Sequence, residues 1–111
     1  MTINGNDIRM IRGDTEQLAV TCQLSDGTER PFEEGDTVIF TVAWPLGPEV
    51  LQKKVTSFPA GAADILIAHE ETNELTPGEY VYDVQLTAKD GTVSTIIPPA
   101  KFILEGDVTR D

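Results

Sequence analysis

Residues able to do acid–base or nucleophilic chemistry are scarce in this chain. It contains one histidine, His69, and one cysteine, Cys22, and no serine stands in a G-x-S-x-G nucleophile elbow. His69 lies beside two glutamates at the end of an expected strand, which favours a solvated loop residue. Cys22 alternates in phase with apolar neighbours, which favours a small core residue over a reactive thiol. We therefore predict that the protein is not an enzyme and has no catalytic residues.

The sequence also contains few residues that could bind a metal ion or a cofactor. Zinc needs about four nitrogen or sulfur ligands, and His69 and Cys22 are the whole supply of imidazole and thiol. The densest acidic clusters lie at residues 33–36 and 70–71, and neither has the D-x-D-x-D-G spacing of a calcium loop. Glycine-rich phosphate loops are absent. These patterns predict solvated acidic loops, no metal and no cofactor.

Aromatic side chains raise a different possibility, the stacking of a sugar or a base. Trp44, Tyr80 and Tyr82 are the candidates. Trp44 falls on the inward phase of its predicted strand, so we interpret it as a core residue and not as an exposed platform. A carbohydrate-binding or host-surface-binding module stays open as the alternative function.

The charge balance narrows the choice of partner. With 19 acidic and 8 basic residues the net charge is −11. Phosphate backbones and anionic membrane surfaces attract basic faces, so neither nucleic acid nor a membrane is expected as a partner. The longest apolar stretch within a predicted strand covers only residues 65–68, and residues 1–6 lack the pattern of a signal peptide. A basic protein partner is compatible with the charge.

Apolar and polar residues alternate at a period of two along much of the chain, and helical periodicity is almost absent. Asp26-Gly27 and Asp90-Gly91 are typical of tight hairpin turns, because Asp-Gly tolerates positive φ angles. Residues 70–75 can form one helical turn in a loop that crosses between sheets, and Pro98-Pro99 should separate the last two strands. The predicted strands cover residues 7–12, 17–24, 37–44, 50–58, 65–68, 80–87, 92–97 and 101–104.

These elements predict an all-β fold, an immunoglobulin-like antiparallel β-sandwich of seven to eight strands. A length of 111 residues suits a single domain, 1–111, that can bury a core without disulfides. The lone Cys22 has no intramolecular partner, which mildly favours a reducing compartment.

A tyrosine corner supports the sandwich prediction. Leu75-Thr76-Pro77-Gly78 leads into a strand that carries Tyr80 and Tyr82. In such corners a buried phenol hydroxyl bonds the backbone of the loop that passes from one sheet to the other. The two tyrosines share one face of the strand, so the sequence leaves open which of them forms the corner.

Groups of residues spread along nearly the whole chain also resemble a known family. They are Ile11-Arg12-Gly13-Asp14, Asp26-Gly27, the acidic segment from Phe32 to Phe40, Leu75-Thr76-Pro77-Gly78 with Tyr80, Tyr82 and Asp83, Gly91, Thr95-Ile96-Ile97, Lys101-Phe102 and Asp107-Val108-Thr109-Arg110. In this order they resemble the N-terminal domain of the baseplate upper proteins of tailed phages that infect Gram-positive bacteria. The resemblance implies a β-sandwich in the tail tip of a phage or prophage.

The same resemblance implies a structural function. In that family the domain is an attachment module, and its members continue past the position of Asp111 into host-binding parts. We therefore expect an assembly or adaptor subunit that contacts other phage tail or baseplate proteins, with homo-oligomers in the assembled particle. Its expected location is the virion, and the bacterial cytoplasm before assembly. We expect the contact at a sheet edge, on the strand at residues 7–12 or the one near Phe102.

The charge also generates a prediction about stability. At −11 the folded domain repels itself, so moderate salt should raise its melting temperature slightly by screening that repulsion. Thermal unfolding in increasing sodium chloride measures the effect. A melting temperature that falls steadily with salt would mean that favourable ion pairs outweigh the repulsion.

Overall fold

A computed structural model describes residues 1–24 and 26–108 as an all-β domain with one short helix. Thr109 and Arg110, which contribute to the family resemblance, lie outside the described residues. The elements are β1 (Thr2–Asn4), β2 (Asp7–Ile11), β3 (Glu16–Val20), β4 (Thr37–Ala43), β5 (Glu49–Val55), β6 (Ala63–Ile67), α1 (His69–Asn73), β7 (Gly78–Thr87) and β8 (Val93–Glu105).

The strands form two sheets that pack as a sandwich, which confirms the predicted fold class and strand number. One sheet has six strands in the order β1-β2-β8-β7-β4-β5, and the other pairs β3 with β6. The expectation of a wholly antiparallel sandwich is wrong at one position, because β2 and β8 run parallel from Ile8 opposite Phe102. Parallel strands need a long crossover, and the whole domain between β2 and β8 supplies it.

A period-two pattern of burial builds the core. Along β4 and β7 every second side chain is buried, and the alternate ones face the outside of the larger sheet. The buried apolar side chains of both sheets form one cluster. Its members are Ile8, Met10, Leu18, Val20, Phe32, Val38, Phe40, Val42, Ala63, Ile65, Ile67, Tyr80, Tyr82, Val84, Leu86, Phe102 and Leu104.

The helical turn predicted at residues 70–75 is α1, and it carries the chain from the small sheet to the large one. Its Glu71 carboxylate accepts hydrogen bonds from the Ala68 N–H and from Lys53 Nζ of β5, both at 2.9 Å. Thr72 is fully buried and its Oγ1 accepts the Gly13 N–H at 2.9 Å. The crossover is therefore tied to both β5 and the β2–β3 turn.

Tyr80 forms the tyrosine corner. Its hydroxyl donates to the Thr76 carbonyl at 2.5 Å, four residues upstream. The Tyr82 hydroxyl donates to the Asn6 carbonyl instead and ties the start of β2 to β7. Trp44 stacks on Tyr80 with ring centroids 4.1 Å apart, and is a half-buried residue at the margin of the core. Trp44 therefore packs against the core as predicted, but it is only half-buried, whereas the prediction was of a buried core residue.

One predicted strand is four residues too long at its C-terminal end. The strand expected over 17–24 stops at Val20, and Cys22 is half-buried rather than in the core. The chain leaves the small sheet there and forms a projecting hairpin, closed by the Arg30 N–H donating to the Cys22 carbonyl at 2.9 Å. The polar–apolar alternation simply continues beyond the last residue that has a sheet partner.

The prolines at 98 and 99 do not separate two strands. β8 is continuous over 13 residues, and its register with β7 shifts between Tyr82 and Val84, opposite the prolines. A bulge accommodates residues that cannot donate to the ladder. Continuity of β8 therefore depends on this local irregularity, which the sequence pattern did not reveal.

The two tyrosine hydroxyls generate a prediction that separates their roles. Tyr80→Phe and Tyr82→Phe should each lower the free energy of unfolding by about 1–2 kcal/mol, because each removes one buried hydrogen bond. Chemical denaturation measures the loss. Amide hydrogen exchange should rise around Thr76 in the first variant and around Asn6 in the second.

Each tyrosine variant serves as the control for the other, since each removes the phenol oxygen of one side chain on β7. Faster exchange at the same segment in both variants would contradict the assignment of separate hydrogen bonds. Neutral effects of both on stability would contradict the corner itself.

Candidate functional site

The residues singled out for chemistry do not assemble into one centre. His69 and Glu70 lie 3.3 Å apart, and both side chains are exposed. Within residues 1–24 and 26–108, no group of three or more His, Cys, Asp or Glu side chains is placed to hold a metal ion. In the same part of the chain, no helix is long and apolar enough to span a membrane. The candidate site is instead an unpaired strand edge of the large sheet.

Strand β8 has an unpaired edge along its first part. β7 pairs with it from Val93 to Leu104, whereas β2 covers only the four residues from Phe102 to Glu105 on the other side. In the described part of the chain no strand lies beside residues 93–97 on that side. Alternate residues of an antiparallel strand direct their N–H and C=O groups away from the partner, so backbone groups of this segment face an open slot. We call residues 93–97 the open edge.

The edge predictions from sequence are wrong about the location. β2 lies between β1 and β8, and the strand near Phe102 lies between β2 and β7, so neither is free to add a strand. The sequence contained no sign of the parallel β2–β8 ladder that covers both. The same ladder leaves the open edge exposed, because β2 is only five residues long.

A cleft of about 910 Å³ adjoins the open edge. It lies between the first part of β8 and the segment that follows β3, where the small sheet has ended. Its walls are a mixture of apolar and polar groups. They include Asn6, Val20, Cys22, Leu86, Ile96 and Ile97.

The two Asp-Gly-Thr turns have matching hydrogen bonds. In the hairpin after β3 the Thr28 N–H donates to Asp26 Oδ1 at 2.9 Å, and between β7 and β8 the Thr92 N–H donates to Asp90 Oδ1 at 2.9 Å. These backbone donors lower the pKa of both carboxyls. Leu24 and Asp90 both line the cleft. The β7–β8 turn therefore places the Asp90 carboxylate at its margin.

Arg30 is the basic residue in the cleft wall, and a buried carboxylate holds it. Its guanidinium donates to both Asp36 oxygens, at 3.0 and 3.5 Å. Asp36 is 1% exposed and also accepts the backbone N–H groups of Glu33 (3.1 Å) and Lys89 (3.3 Å). The hydrogen bonds from Arg30 keep the pKa of Asp36 below its ordinary value despite burial.

This arrangement corrects the prediction of a solvated acidic loop at residues 33–36. Glu33 and Glu34 are exposed, but Asp36 is buried and joins the loop before β4 to the β7–β8 hairpin. Composition alone could not distinguish it from its neighbours, because the partner Arg30 precedes it across a proline-containing loop. Its position directly before a buried strand is the one local signal.

The open edge is less protected than either outer edge of the large sheet. β5 ends the large sheet at one side and carries Lys53 and Lys54, and charged side chains discourage strand pairing. β1 ends the other side and is three residues long. The open edge carries no charged side chain, and Val93 is 60% exposed.

Comparison with protein-family models finds no match for this chain, and comparison with curated proteins finds none.

The Arg30–Asp36 pair generates a prediction about pH. Asp36→Asn should destabilise the domain by about 2–3 kcal/mol at pH 7, because it removes a buried charge that Arg30 requires. The folded pKa of Asp36 is depressed, so its contribution is complete above the unfolded pKa of about 3.9 and disappears as pH falls through the folded value. The stability gap between wild type and variant should therefore narrow in acid.

Urea unfolding at a series of pH values measures that gap. Asp64→Asn is the matched control, because Asp64 is exposed on β6, and it should change stability by less than about 0.5 kcal/mol. A gap for Asp36→Asn that stays constant from neutral pH to about pH 2 would contradict the ionised pair.

Proposed function

We propose that this protein is a structural subunit of a phage or prophage tail, an assembly or adaptor protein that acts through protein–protein contacts. The single observation that supports a contact function most strongly is the open edge beside a large cleft. Soluble domains usually blunt such edges with charge, proline or a covering element. Here the five residues from 93 to 97 are uncharged and unpaired on one side within the described chain, and the prolines at 98 and 99, with the bulge opposite them, limit the unprotected part of β8 to this segment.

The resemblance of the sequence to baseplate upper proteins supports the biological setting of the proposal. Several of its groups meet in the fold. Arg12 Nε donates to Asp107 Oδ1 at 2.9 Å, and Arg12 Nη1 donates to the Leu75 carbonyl at 3.3 Å. These contacts join three distant groups of the resemblance at one end of the sandwich. On the basis of the resemblance, the proposed location is the virion tail or baseplate, with the bacterial cytoplasm before assembly.

The aromatic residues offer little support for the carbohydrate alternative. One face of Trp44 is covered by Tyr80. Tyr80 and Tyr82 are themselves buried in the core. Glycan binding is accordingly the competing outcome of the experiment and not a second proposal.

Co-expression with each neighbouring tail gene, followed by affinity capture and size measurement, tests the proposed function. We expect a stoichiometric complex with at least one tail or baseplate protein. A stable contact should bury roughly 1,200–2,000 Å² and survive gel filtration. Isothermal titration against purified cell-wall glycan from the host provides the comparison.

Asp36→Asn is not used in this experiment because it changes the stability of the domain. Thr41→Lys, on the outer face of β4, preserves the core and serves as a surface control. Capture that persists in this control supports a specific contact. Tight glycan binding without capture of any tail protein would overturn the proposal.

A further inference from the structure

The open edge and its cleft have the dimensions of a missing strand. Strand β8 is 13 residues long, but the slot beside it is filled by β2 only from Phe102 to Glu105. Asn6, which precedes β2, lines the cleft, and the β2–β8 pairing begins two residues later, at Ile8 opposite Phe102. Residues 93–101 of β8 are left without a strand on that side, and the five that precede the prolines, 93–97, correspond to roughly 17 Å of extended chain at about 3.3 Å per residue.

Apolar side chains line the side of that slot that faces the core. Leu86, Ile96 and Ile97 line the cleft. Ile96 and Ile97 are half-buried and pack against the core, so an added strand would extend apolar packing that already exists. The small sheet cannot cover this region because β3 ends at Val20.

The charge around the cleft selects among possible occupants. Asp90 lines it directly, and Asp26 lies in the turn that follows Leu24 of its wall. The positive charge of Arg30 is already matched by the buried Asp36 carboxylate. A second copy of this chain would bring another net charge of −11 to the same margin. A basic segment of a different protein is electrostatically complementary, whereas a second copy is not.

We propose that a tail protein donates an extended, basic segment that pairs with the open edge as an added β-strand and places an apolar side chain in the cleft. This inference rests on the proposed function, since it specifies how the partner is held. Main-chain hydrogen bonds to residues 93–97 supply affinity, and the cleft selects the apolar side chain. Cationic groups at an end of the segment face Asp90 of the β7–β8 turn.

The probe is the peptide acetyl-Lys-Thr-Val-Thr-Val-Thr-Lys-amide, titrated into the full chain and followed by amide NMR. We expect chemical-shift changes and slower hydrogen exchange at residues 93–97. The same peptide with Glu at both ends should bind about tenfold more weakly at low salt, because Asp90 lines the cleft and the whole domain carries a net charge of −11. A version with proline replacing the central threonine should lose the exchange protection, since proline cannot donate to a ladder.

Two variants carry the same charge change and separate the edge from general electrostatics. Thr95→Lys places a cation on the open edge, and Thr2→Lys places one on β1 at the margin of the same sheet. We expect Thr95→Lys to weaken peptide binding about tenfold and Thr2→Lys to leave it within about twofold. Equal weakening by both, or no protection of residues 93–97 in the wild type, would overturn the inference.

Cys22 offers a second readout that does not depend on the variants folding. It is half-buried in the cleft wall, so a maleimide should label it in the native protein. The basic peptide should slow that labelling, and the acidic peptide should slow it less at equal concentration. Labelling that is unaffected by saturating basic peptide would contradict occupation of the cleft.

The captured tail partner from the co-expression experiment distinguishes the two proposals. A complex that forms equally well with Thr95→Lys and wild type overturns strand addition but supports the tail function. Peptide pairing at residues 93–97 without capture of any tail protein supports the edge and overturns the tail function.

Discussion

The ladder between β7 and β8 is the interaction on which the rest of the sandwich depends. It joins Gly78–Thr87 to nearly the whole length of β8 and forms the centre of the large sheet. On one flank β7 pairs with β4, and on the other the end of β8 pairs with β2. Because β2 is much shorter than β8, the same ladder that holds the core together leaves residues 93–97 with an unfilled neighbouring position.

Polar contacts then fix the loops around this ladder. The Tyr80 hydroxyl secures the approach to β7, and the Tyr82 hydroxyl secures the start of β2. Asp36 fastens the loop before β4 to the β7–β8 hairpin. Buried hydroxyl and carboxylate groups would destabilise the core if they lacked partners. Each therefore makes its own loop position specific, and the bonds of Tyr82 to Asn6 and of Arg30 to Asp36 each hold a residue of the cleft wall.

Much of the fold was predictable because local physics repeats along the chain. Period-two alternation identified the long strands β4 and β7, and Asp-Gly identified both turns whose glycines, Gly27 and Gly91, have positive φ. Prediction failed where a strand's extent depends on a distant partner. The alternation of apolar and polar residues continues through Cys22, although the pairing of β3 with β6 ends at Val20. The prolines in β8 are accommodated by a bulge, which arises only from the register between β8 and β7.

The sequence by itself determined the fold class, the acidic surface, the turn positions and the presence of a tyrosine corner, since each depends on residue type and short-range spacing. Tertiary structure decided which tyrosine forms the corner, that Asp36 is buried against Arg30, and that β2 pairs in parallel with β8. It also decided where the sheet remains open. Those features depend on which distant segments of the chain lie side by side. The types and spacing of neighbouring residues do not determine that pairing.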